Sequence, residues 1–301
     1  MRGGGQALKK HMAAVLGAGC LWGTMGFFSR SFSAIGIGSG GTIFLRCAVA
    51  ALLFLLTILL KDPAQLRVKP RDFWCFFGSG ICSLLFFTYC YFTAISLMSL
   101  SAAAILLYTA PAIVVLLSAL LFHERMTLRK LSALLLAVVG CALVSGLGSG
   151  TVITVRGLLY GLGAGAGYAL YSIFARFALD RGYSSGTVNF YSCLLAAVGS
   201  ALLWGVKTPL AVALASGGHL AFSLCAGVVT CYLPYLLYTY GLSGLETGRA
   251  SILASVEPVV ATLLGVLIYR EKLTLLSAGG ILCVLAAVLL LNARERKKAP
   301  L

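Results

Sequence analysis

The chain has 301 residues, of which 60% are hydrophobic and only 10% are charged, and its mean hydropathy is +1.00. This composition leaves too little polar surface to cover a soluble globular protein and indicates an integral membrane protein. The net charge of +15 comes from Lys and Arg spread over loops and ends without interleaved aromatic residues, so it does not indicate nucleic-acid binding.

Apolar stretches of the length that crosses a bilayer as a helix recur along the whole chain. The first stretch is long, Gly-rich and followed by others, which favours a retained helix over a cleaved signal peptide. Ten spans are predicted, over residues 11–32, 38–60, 73–95, 98–122, 128–147, 156–178, 186–206, 219–240, 247–269 and 274–292.

The distribution of basic residues predicts the topology. With a cytoplasmic N-terminus, seventeen Lys and Arg lie on the cytoplasmic side and five on the opposite side. This bias predicts that both termini are cytoplasmic. Short loops and basic termini suit a bacterial inner membrane. The ten cysteines all fall in apolar segments without a C-x-x-C pair, which predicts buried small hydrophobic residues and neither a metal site nor a disulfide framework.

An internal repeat is visible when the chain is aligned with itself. Pro111 meets Pro258 and Glu124 meets Glu271, and these matches carry weight because the chain has only seven Pro and five Glu. At this offset of 147 residues, two segments align without a gap: "LLYTAPAIVVLLSALLFHERMTL" (106–128) and "LASVEPVVATLLGVLIYREKLTL" (253–275).

Other parts of the chain repeat in the same way. Tyr91 meets Tyr238 at the offset of 147, and at an offset of 146 "LGAGCLWGTMGFFSR" meets "LGAGAGYALYSIFAR", which pairs Trp22 with Tyr168. Each repeat holds five predicted spans, and because five is odd, the second copy enters the membrane from the opposite side. The prediction is an all-α integral membrane protein of ten transmembrane helices, built as two inverted five-helix repeats over residues 1–148 and 149–301. Inverted repeats allow one central site to open alternately to either side, which is the architecture of a transporter.

The chain resembles the drug/metabolite transporter superfamily, EamA type. The resemblance rests on "LWG" in the Gly-rich first helix, on the Arg in "FLRCAVA" of the second helix, and on the Pro-then-Glu pattern that closes helices four and nine. It extends from about residue 12 to 292. The resemblance implies two five-helix bundles around a central cavity lined by helices one, three, four, six, eight and nine. It also implies transport of amino acids, related metabolites or amphiphilic compounds.

Glu257 is the acid predicted to lie deepest in the membrane. A charged carboxylate there costs about 2.5 to 3.5 kcal/mol on insertion scales, so it must be neutral, paired or hydrated. Pro258 cannot donate to the carbonyl of Ala254, which weakens the helix beside the acid. One interpretation is that Glu257 binds a cationic group or titrates during transport. The other is that it only fixes packing, because the first repeat has Ala110 at the equivalent position.

Further candidate substrate-binding or cavity-lining residues follow from the same pattern. Arg46 lies in the second predicted span, where it either extends to the membrane surface or contacts an anionic group of the substrate. Aromatic residues with polar tips suit a site for an organic metabolite, although some belong to interfacial belts. The candidates are Trp22, Tyr91, Tyr108, Tyr168, Tyr238 and Ser255, with Pro111 and Pro258 as helix-break or gating residues.

The helix-end acids Glu124 and Glu271 stand beside Arg125 and Lys272, which predicts solvated or interfacial ion pairs, with gating as the alternative. An enzyme is disfavoured because the His and Asp residues lie at span ends or in loops, where they form no catalytic dyad or metal cluster at membrane depth. These residues are His11, His123, His219, Asp62, Asp72 and Asp180.

The predicted function is a secondary transporter, exporter or exchanger, that moves a small organic metabolite such as an amino acid by alternating access. No catalytic residue, metal or cofactor is expected, and no ATP-binding motif is present. The expected partners are the substrate, the lipid bilayer and a coupling proton, and the sequence leaves the oligomeric state open. A membrane receptor or a structural subunit is the alternative.

Overall fold

The computed structural model describes residues 2–98, 100–145, 154–270 and 273–292. Within these ranges the chain is helical and contains no strand. The predicted ion pair between Glu271 and Lys272 lies outside the described residues.

The first half of the chain contains eight α-helices and one long π-helical segment. The predicted third span is α-helical only at its two ends, because its central turns at Gly78–Leu85 are wide π-helical turns. The helices are α1 (Arg2–Gly23), α2 (Met25–Ala34), α3 (Ser39–Lys61), α4 (Phe73–Phe77), α5 (Phe86–Leu97), α6 (Leu100–Leu107), α7 (Ala110–Phe122) and α8 (Leu128–Val144).

The second half repeats this arrangement, with a second π-helical segment at Val228–Tyr232. Its helices are α9 (Val155–Asp180), α10 (Ser185–Trp204), α11 (Lys207–Leu214), α12 (Gly217–Gly227), α13 (Leu233–Gly244), α14 (Thr247–Ala254), α15 (Glu257–Tyr269) and α16 (Leu275–Asn292).

Helix length and composition identify a multi-pass membrane protein. Among the described residues, eight helical segments are long and apolar enough to cross a bilayer, and Leu275–Leu291 forms a shorter apolar helix. The prediction of ten spans needs α8 and α16 as well. These two helices, of 17 and 18 residues, are shorter than the eight candidate spans, and α8 carries Arg129 and Lys130 in its first turn. The number ten therefore stays a prediction.

The helix boundaries repeat along the chain. The bounds of α13, α14 and α15 are those of α5, α6 and α7 plus 147 residues, which is the offset found in the sequence. The helices α7 and α15 also end alike, because His123 and Arg270 adopt left-handed backbone angles of φ 54° and 55°. Equivalent segments of the two halves thus fold in the same way.

Each half has a broken fourth helix, and each break packs against the first helix of the other half. A Cβ on Gly19 of α1 would lie 2.9 Å from the carbonyl oxygen of Ala254, and a Cβ on Gly165 of α9 would lie 2.8 Å from that of Leu106. Only glycine allows backbones to approach this closely. The two halves therefore interlock around the two helix breaks.

The crossing of α8 and α16 uses glycine in the same way. A Cβ on Gly140 would lie 2.8 Å from the carbonyl oxygen of Gly280, and the reciprocal distance is 2.7 Å. These two helices flank the fourth helix of each half and contact α14 and α15. All ten cysteines of the chain are free, and six of them are buried.

Candidate functional site

A central cavity with two adjoining lobes lies between the two halves. The larger lobe has a volume of about 80 Å³ and the smaller about 20 Å³. Five residues line both lobes: Trp22, Leu84, Phe87, Tyr168 and Tyr235. Because these residues come from α1, the third predicted span, α9 and α13, the cavity is shared by both halves.

Glu257 lines the larger lobe at the start of α15. The helix before it ends at Ala254, Ser255 and Val256 form a turn, and Pro258 occupies the first turn of α15. The Tyr168 hydroxyl donates a hydrogen bond of 2.9 Å to Glu257 Oε2. The helix break thus places a carboxylate at the N-terminal end of a helix, where the helix dipole favours negative charge.

Arg46 of α3 lines the same lobe as Glu257. Its guanidinium is turned inward, since Nε donates 2.6 Å to Thr230 Oγ1 and Nη2 donates 2.7 Å to the Thr230 carbonyl oxygen. Pro234 has no N–H to offer to the carbonyl four residues before it, which is that of Thr230. Arg46 therefore satisfies a carbonyl that Pro234 leaves without its usual helical donor.

Aromatic rings form the wall between the lobes. The ring of Trp22 lies 5.2 Å from that of Tyr235, 5.3 Å from that of Tyr238 and 6.3 Å from that of Tyr168. Phe87 contacts Tyr168 at 5.5 Å between ring centroids. The cavity is therefore apolar on most sides, with polar groups at a few points, as is typical of sites for small organic ligands.

A buried polar network supports the smaller lobe. The Tyr238 and Ser172 hydroxyls share a hydrogen bond of 2.7 Å. The Tyr171 hydroxyl donates 2.5 Å to Asn189 Oδ1, and Asn189 Nδ2 donates 2.9 Å to Thr239 Oγ1. These bonds tie α9, α10 and α13 together and fix the lining tyrosines.

The structure brings Trp22, Arg46, Tyr168, Tyr238 and Glu257 together around this cavity. The other predicted residues lie outside its lining, namely Tyr91, Tyr108, Ser255, Pro111 and Pro258.

Three of these residues, Tyr91, Tyr108 and Ser255, make contacts around the cavity without lining it. Tyr91 stacks on Phe87 at 5.9 Å, and Tyr108 packs against Val259 of α15. The Ser255 hydroxyl donates 3.4 Å to the Ser251 carbonyl oxygen. Tyr91 and Tyr108 lie within electrostatic range of Glu257, so they belong to the second layer around this carboxylate.

Several residues of the site were not singled out by the sequence pattern, among them Tyr235, Thr230 and Asn189. Tyr235 was one of several tyrosines in "CYLPYLLYTY", and Thr230 and Asn189 carried no signal of their own. The proline in that motif was the available clue to Thr230, because it predicts a free carbonyl four residues earlier. Nothing local distinguishes Asn189, whose role depends on Tyr171 and Thr239 of neighbouring helices.

The geometry allows binding of opposite charges in one cavity. In the described part of the chain, no ion pair within 4.0 Å joins Arg46 to Glu257, although both line the larger lobe. A ligand with an ammonium and a carboxylate can therefore contact both side chains. Within the described ranges, no three His, Cys, Asp or Glu side chains lie close enough together to hold a metal ion.

Comparison with known proteins identifies the family. The model of the EamA-like transporter family matches residues 9–146 and again residues 155–293. A protein of Archaeoglobus fulgidus, described as an uncharacterized transporter, is 31% identical over 278 residues, which cover 92% of this chain and 94% of that protein. The Bacillus subtilis uncharacterized transporter YwfM is 31% identical over 166 residues, 55% of each chain.

The fold is also known from a solved structure. A crystal structure covers 94% of this chain and 96% of its own, with a TM-score of 0.78 and 20% identity. The family and the names of the relatives point to a transporter and away from an enzyme. This chain belongs to the EamA-like transporter family within the drug/metabolite transporter superfamily.

Proposed function

We propose that this protein is a secondary transporter that moves a small zwitterionic metabolite, such as an amino acid, across the membrane. The observation that carries the proposal is the central cavity with Glu257 and Arg46 in one lobe and aromatic rings around them. An ammonium group binds at the Glu257 carboxylate, and a carboxylate binds at the Arg46 guanidinium. The rings of Trp22, Tyr168 and Tyr235 enclose the remaining apolar part.

The volume of the cavity supports a small substrate. The larger lobe holds about 80 Å³ and the smaller about 20 Å³, and the same aromatic rings separate them. The smaller lobe, which lies beside Tyr238 and Ser251, has room for little more than one water molecule, so a side chain of the substrate enters it only when the rings move apart. Larger substrates require the rings to move apart.

Alternating access is the proposed mechanism. The ten predicted spans form two inverted repeats, with α8 and α16 as the fifth span of each, and both termini are cytoplasmic in a bacterial inner membrane. The repeated helix bounds and the breaks before Pro111 and Pro258 support this arrangement. Rocking of one repeat against the other opens the cavity to either side.

Proton coupling at Glu257 is part of the proposal. A carboxylate that meets water in one state and apolar walls in the other gains and loses a proton during the cycle. In this structure the Tyr168 hydroxyl donates a hydrogen bond to the Glu257 carboxyl group, which therefore acts as an acceptor. Transport driven by a pH gradient then depends on the titration of Glu257, whereas exchange of substrate at equal pH does not need this titration.

The test is uptake of a mixed metabolite pool into proteoliposomes, with and without a pH gradient, read by mass spectrometry against empty vesicles. The expected result is accumulation of one class of zwitterionic metabolite by the wild-type protein. The variant Glu257→Gln is expected to lose the dependence on the pH gradient. Asp180→Asn is the matched control, because it also removes one carboxylate but acts on a surface pair with Arg176.

Two outcomes contradict the proposal in different ways. Unchanged gradient dependence in Glu257→Gln removes the coupling role and leaves transport. No protein-dependent uptake from vesicles that contain folded protein removes transport itself and favours a membrane receptor or a structural subunit.

A further inference from the structure

Three charged side chains meet at the end of the bundle where α7 ends and α14 begins. Lys130 of α8 is only 3% exposed, and its Nζ donates 2.7 Å to Glu124 Oε2 and 3.2 Å to Glu246 Oε2. Glu124 lies just after α7, and Glu246 lies just before α14. The predicted neighbour Arg125 is not the partner of Glu124, and the pair is not solvated, since the side chains of Lys130 and Glu124 are 4% and 8% exposed.

Glu124 also holds the first turn of α14. Its two carboxylate oxygens accept hydrogen bonds from the backbone N–H groups of Thr247, at 2.5 Å, and Gly248, at 3.1 Å. The first N–H groups of a helix have no partner within that helix, and the helix dipole favours a negative charge there. Glu246 stands at the N-cap position but makes no capping bond with its own side chain. A residue of the first half therefore caps a helix of the second half.

We call Glu124, Lys130, Glu246 and the first two amides of α14 the charge lock. Its position relates it to the cavity, because α14 also carries Ser251 and Ala254, which line the smaller lobe. Glu257 follows after the helix break. With the lock closed, every residue of α14 except Arg249 is buried between the cavity and this end of the bundle.

The closed lock leaves one polar group unsatisfied. The Thr247 hydroxyl is fully buried and has no hydrogen-bond partner among the residues that the structure describes. Such a group carries a desolvation cost that contact with water removes. Movement of α14 toward water therefore offsets part of the cost of breaking the ion pairs.

The second half lacks the cation of this lock. The residue 147 positions after Lys130 is Ser277, which is partly exposed and bonds to Thr274 Oγ1 at 3.0 Å. The two ends of the bundle are therefore chemically unequal. A buried lysine with two carboxylates holds one end, and a serine occupies the equivalent place at the other.

We propose that Glu124 and Lys130 are positioning residues that hold α14 closed, and that release of the charge lock is required to open the cavity toward this end. The role in a transport cycle rests on the proposed function, whereas the closure itself is a property of the fold.

The first experiment is hydrogen exchange, read by mass spectrometry, on the full chain in lipid nanodiscs. Lys130→Met keeps the length of the side chain and removes its charge. We expect the amides of residues 247–250 to exchange at least about tenfold faster in this variant, because both carboxylates lose their cation and Glu124 no longer stays on the helix end. Lys130→Arg is expected to restore protection. Lys61→Met is the matched control, because Lys61 is exposed at the end of α3.

A second readout reports opening of the cavity itself. Cys47 and Cys231 line the larger lobe and serve as native reporters. In sealed vesicles, Lys130→Met is expected to increase labelling of these two cysteines by a membrane-impermeant thiol reagent from the lock side only. A purely structural role of Lys130 would not give labelling from one side.

A second variant, Gly248→Ala, tests the proposal even if Lys130→Met does not fold. A Cβ on Gly248 would lie 2.7 Å from Lys130 Cε, so Gly248→Ala displaces the amine without removing a charge. It is expected to increase exchange and labelling in the same direction. Unchanged exchange at residues 247–250 and unchanged labelling in the folded variants would overturn the proposal. Faster exchange with one-sided labelling, in a protein that moves no substrate, would support the lock and contradict transport.

Discussion

The breaks in the fourth and ninth predicted helices have the same backbone but different side chains. In the fourth helix, α6 ends at Leu107 and α7 begins at Ala110; in the ninth, α14 ends at Ala254 and α15 begins at Glu257. Both second segments begin with a residue followed by proline. The first residue of α7 is a buried alanine, and that of α15 is a glutamate at a cavity.

This difference shows how one half of a repeated structure can carry a polar side chain that the other half lacks. Proline and close glycine contacts preserve the break in both halves, since these features set the backbone. The side chain at the start of the second segment is free to change because the break does not depend on it. We infer that the second half supplies the acid of the site, Glu257, while the first half supplies Arg46 and Trp22.

The largest expected effect comes from making the two breaks alike. Ala110 is 1% exposed, packs with Val114, Ala169 and Ile173, and does not line the central cavity. Ala110→Glu is expected to destabilise the protein by about 2.5 to 3.5 kcal/mol, because the carboxylate enters a packed apolar cluster instead of the cavity. Thermal unfolding in detergent, followed by loss of the monodisperse peak, measures this.

A control separates charge from size in that experiment. Ala110→Leu adds bulk without a polar group, and we expect a smaller loss of stability from it. A melting temperature of Ala110→Glu equal to that of the wild type would mean that access to the cavity is not what allows Glu257 to lie in the membrane.

The next effect concerns the donor to Glu257. Tyr168→Phe keeps the ring beside Trp22 and removes the hydroxyl that donates to the carboxylate. A hydrogen bond to a charged group contributes about 1.5 to 3 kcal/mol, so we expect apparent substrate affinity to fall roughly 10- to 100-fold. Concentration dependence of uptake measures it. Tyr240→Phe, at an exposed ring, should leave affinity unchanged; equal losses in both variants would refute a specific role of Tyr168.

The glycine contacts test whether the two breaks are structurally equivalent. Gly19→Ala and Gly165→Ala each place a Cβ within 2.9 Å of a backbone oxygen of the opposite break. We expect each to destabilise by about 1 to 3 kcal/mol, and by similar amounts. Gly26→Ala is the control, because nothing lies within 4 Å of its added Cβ. A large effect at only one of the two positions would contradict equivalence.

Much of the fold could be predicted from the sequence because its signals are periodic and repeated. Apolar length indicated the spans, and rare residues such as Pro111 and Pro258 revealed the repeat. The wide turns at Gly78–Leu85 and Val228–Tyr232 were not predicted. Pro234 accounts for the wide turn at Val228–Tyr232. Phe87 stands at the equivalent position in the first half, so no proline accounts for the wide turn at Gly78–Leu85.

The site could be predicted less completely, because its contacts join residues far apart in sequence. Depth in the membrane identified Glu257, and the repeat identified Tyr168, which proves to be its hydrogen-bond donor. Helical spacing did not show that Arg46 bonds to Thr230 or that Glu124 pairs with Lys130, since both depend on how helices are placed against one another.

The smallest effect is expected at the charge lock, where a change of pH near neutrality should leave the protection of the first amides of α14 almost unchanged. Burial alone would raise the pKa of Glu124, but Lys130 and the amides of Gly248 and Thr247 together hold this pKa below its ordinary value of 4.5. A lowered carboxyl pKa means that the stabilising contribution is fully present above the ordinary value and is lost as pH falls through the lowered one. Lys130 contacts both Glu124 and Glu246, so these three charged groups share the lock.

Protection of the amides of Thr247 and Gly248 should therefore stay constant from neutral pH down to about 4.5 and decrease only below it. Hydrogen exchange, corrected for the intrinsic rate at each pH, measures this protection. Glu124→Gln should show lower protection at neutral pH and no further loss on acidification, because the amide cannot titrate. Loss of protection already between pH 7 and 5 in the wild type would place the titrating group elsewhere. Capping of α14 by Glu124 would then not control the closed state.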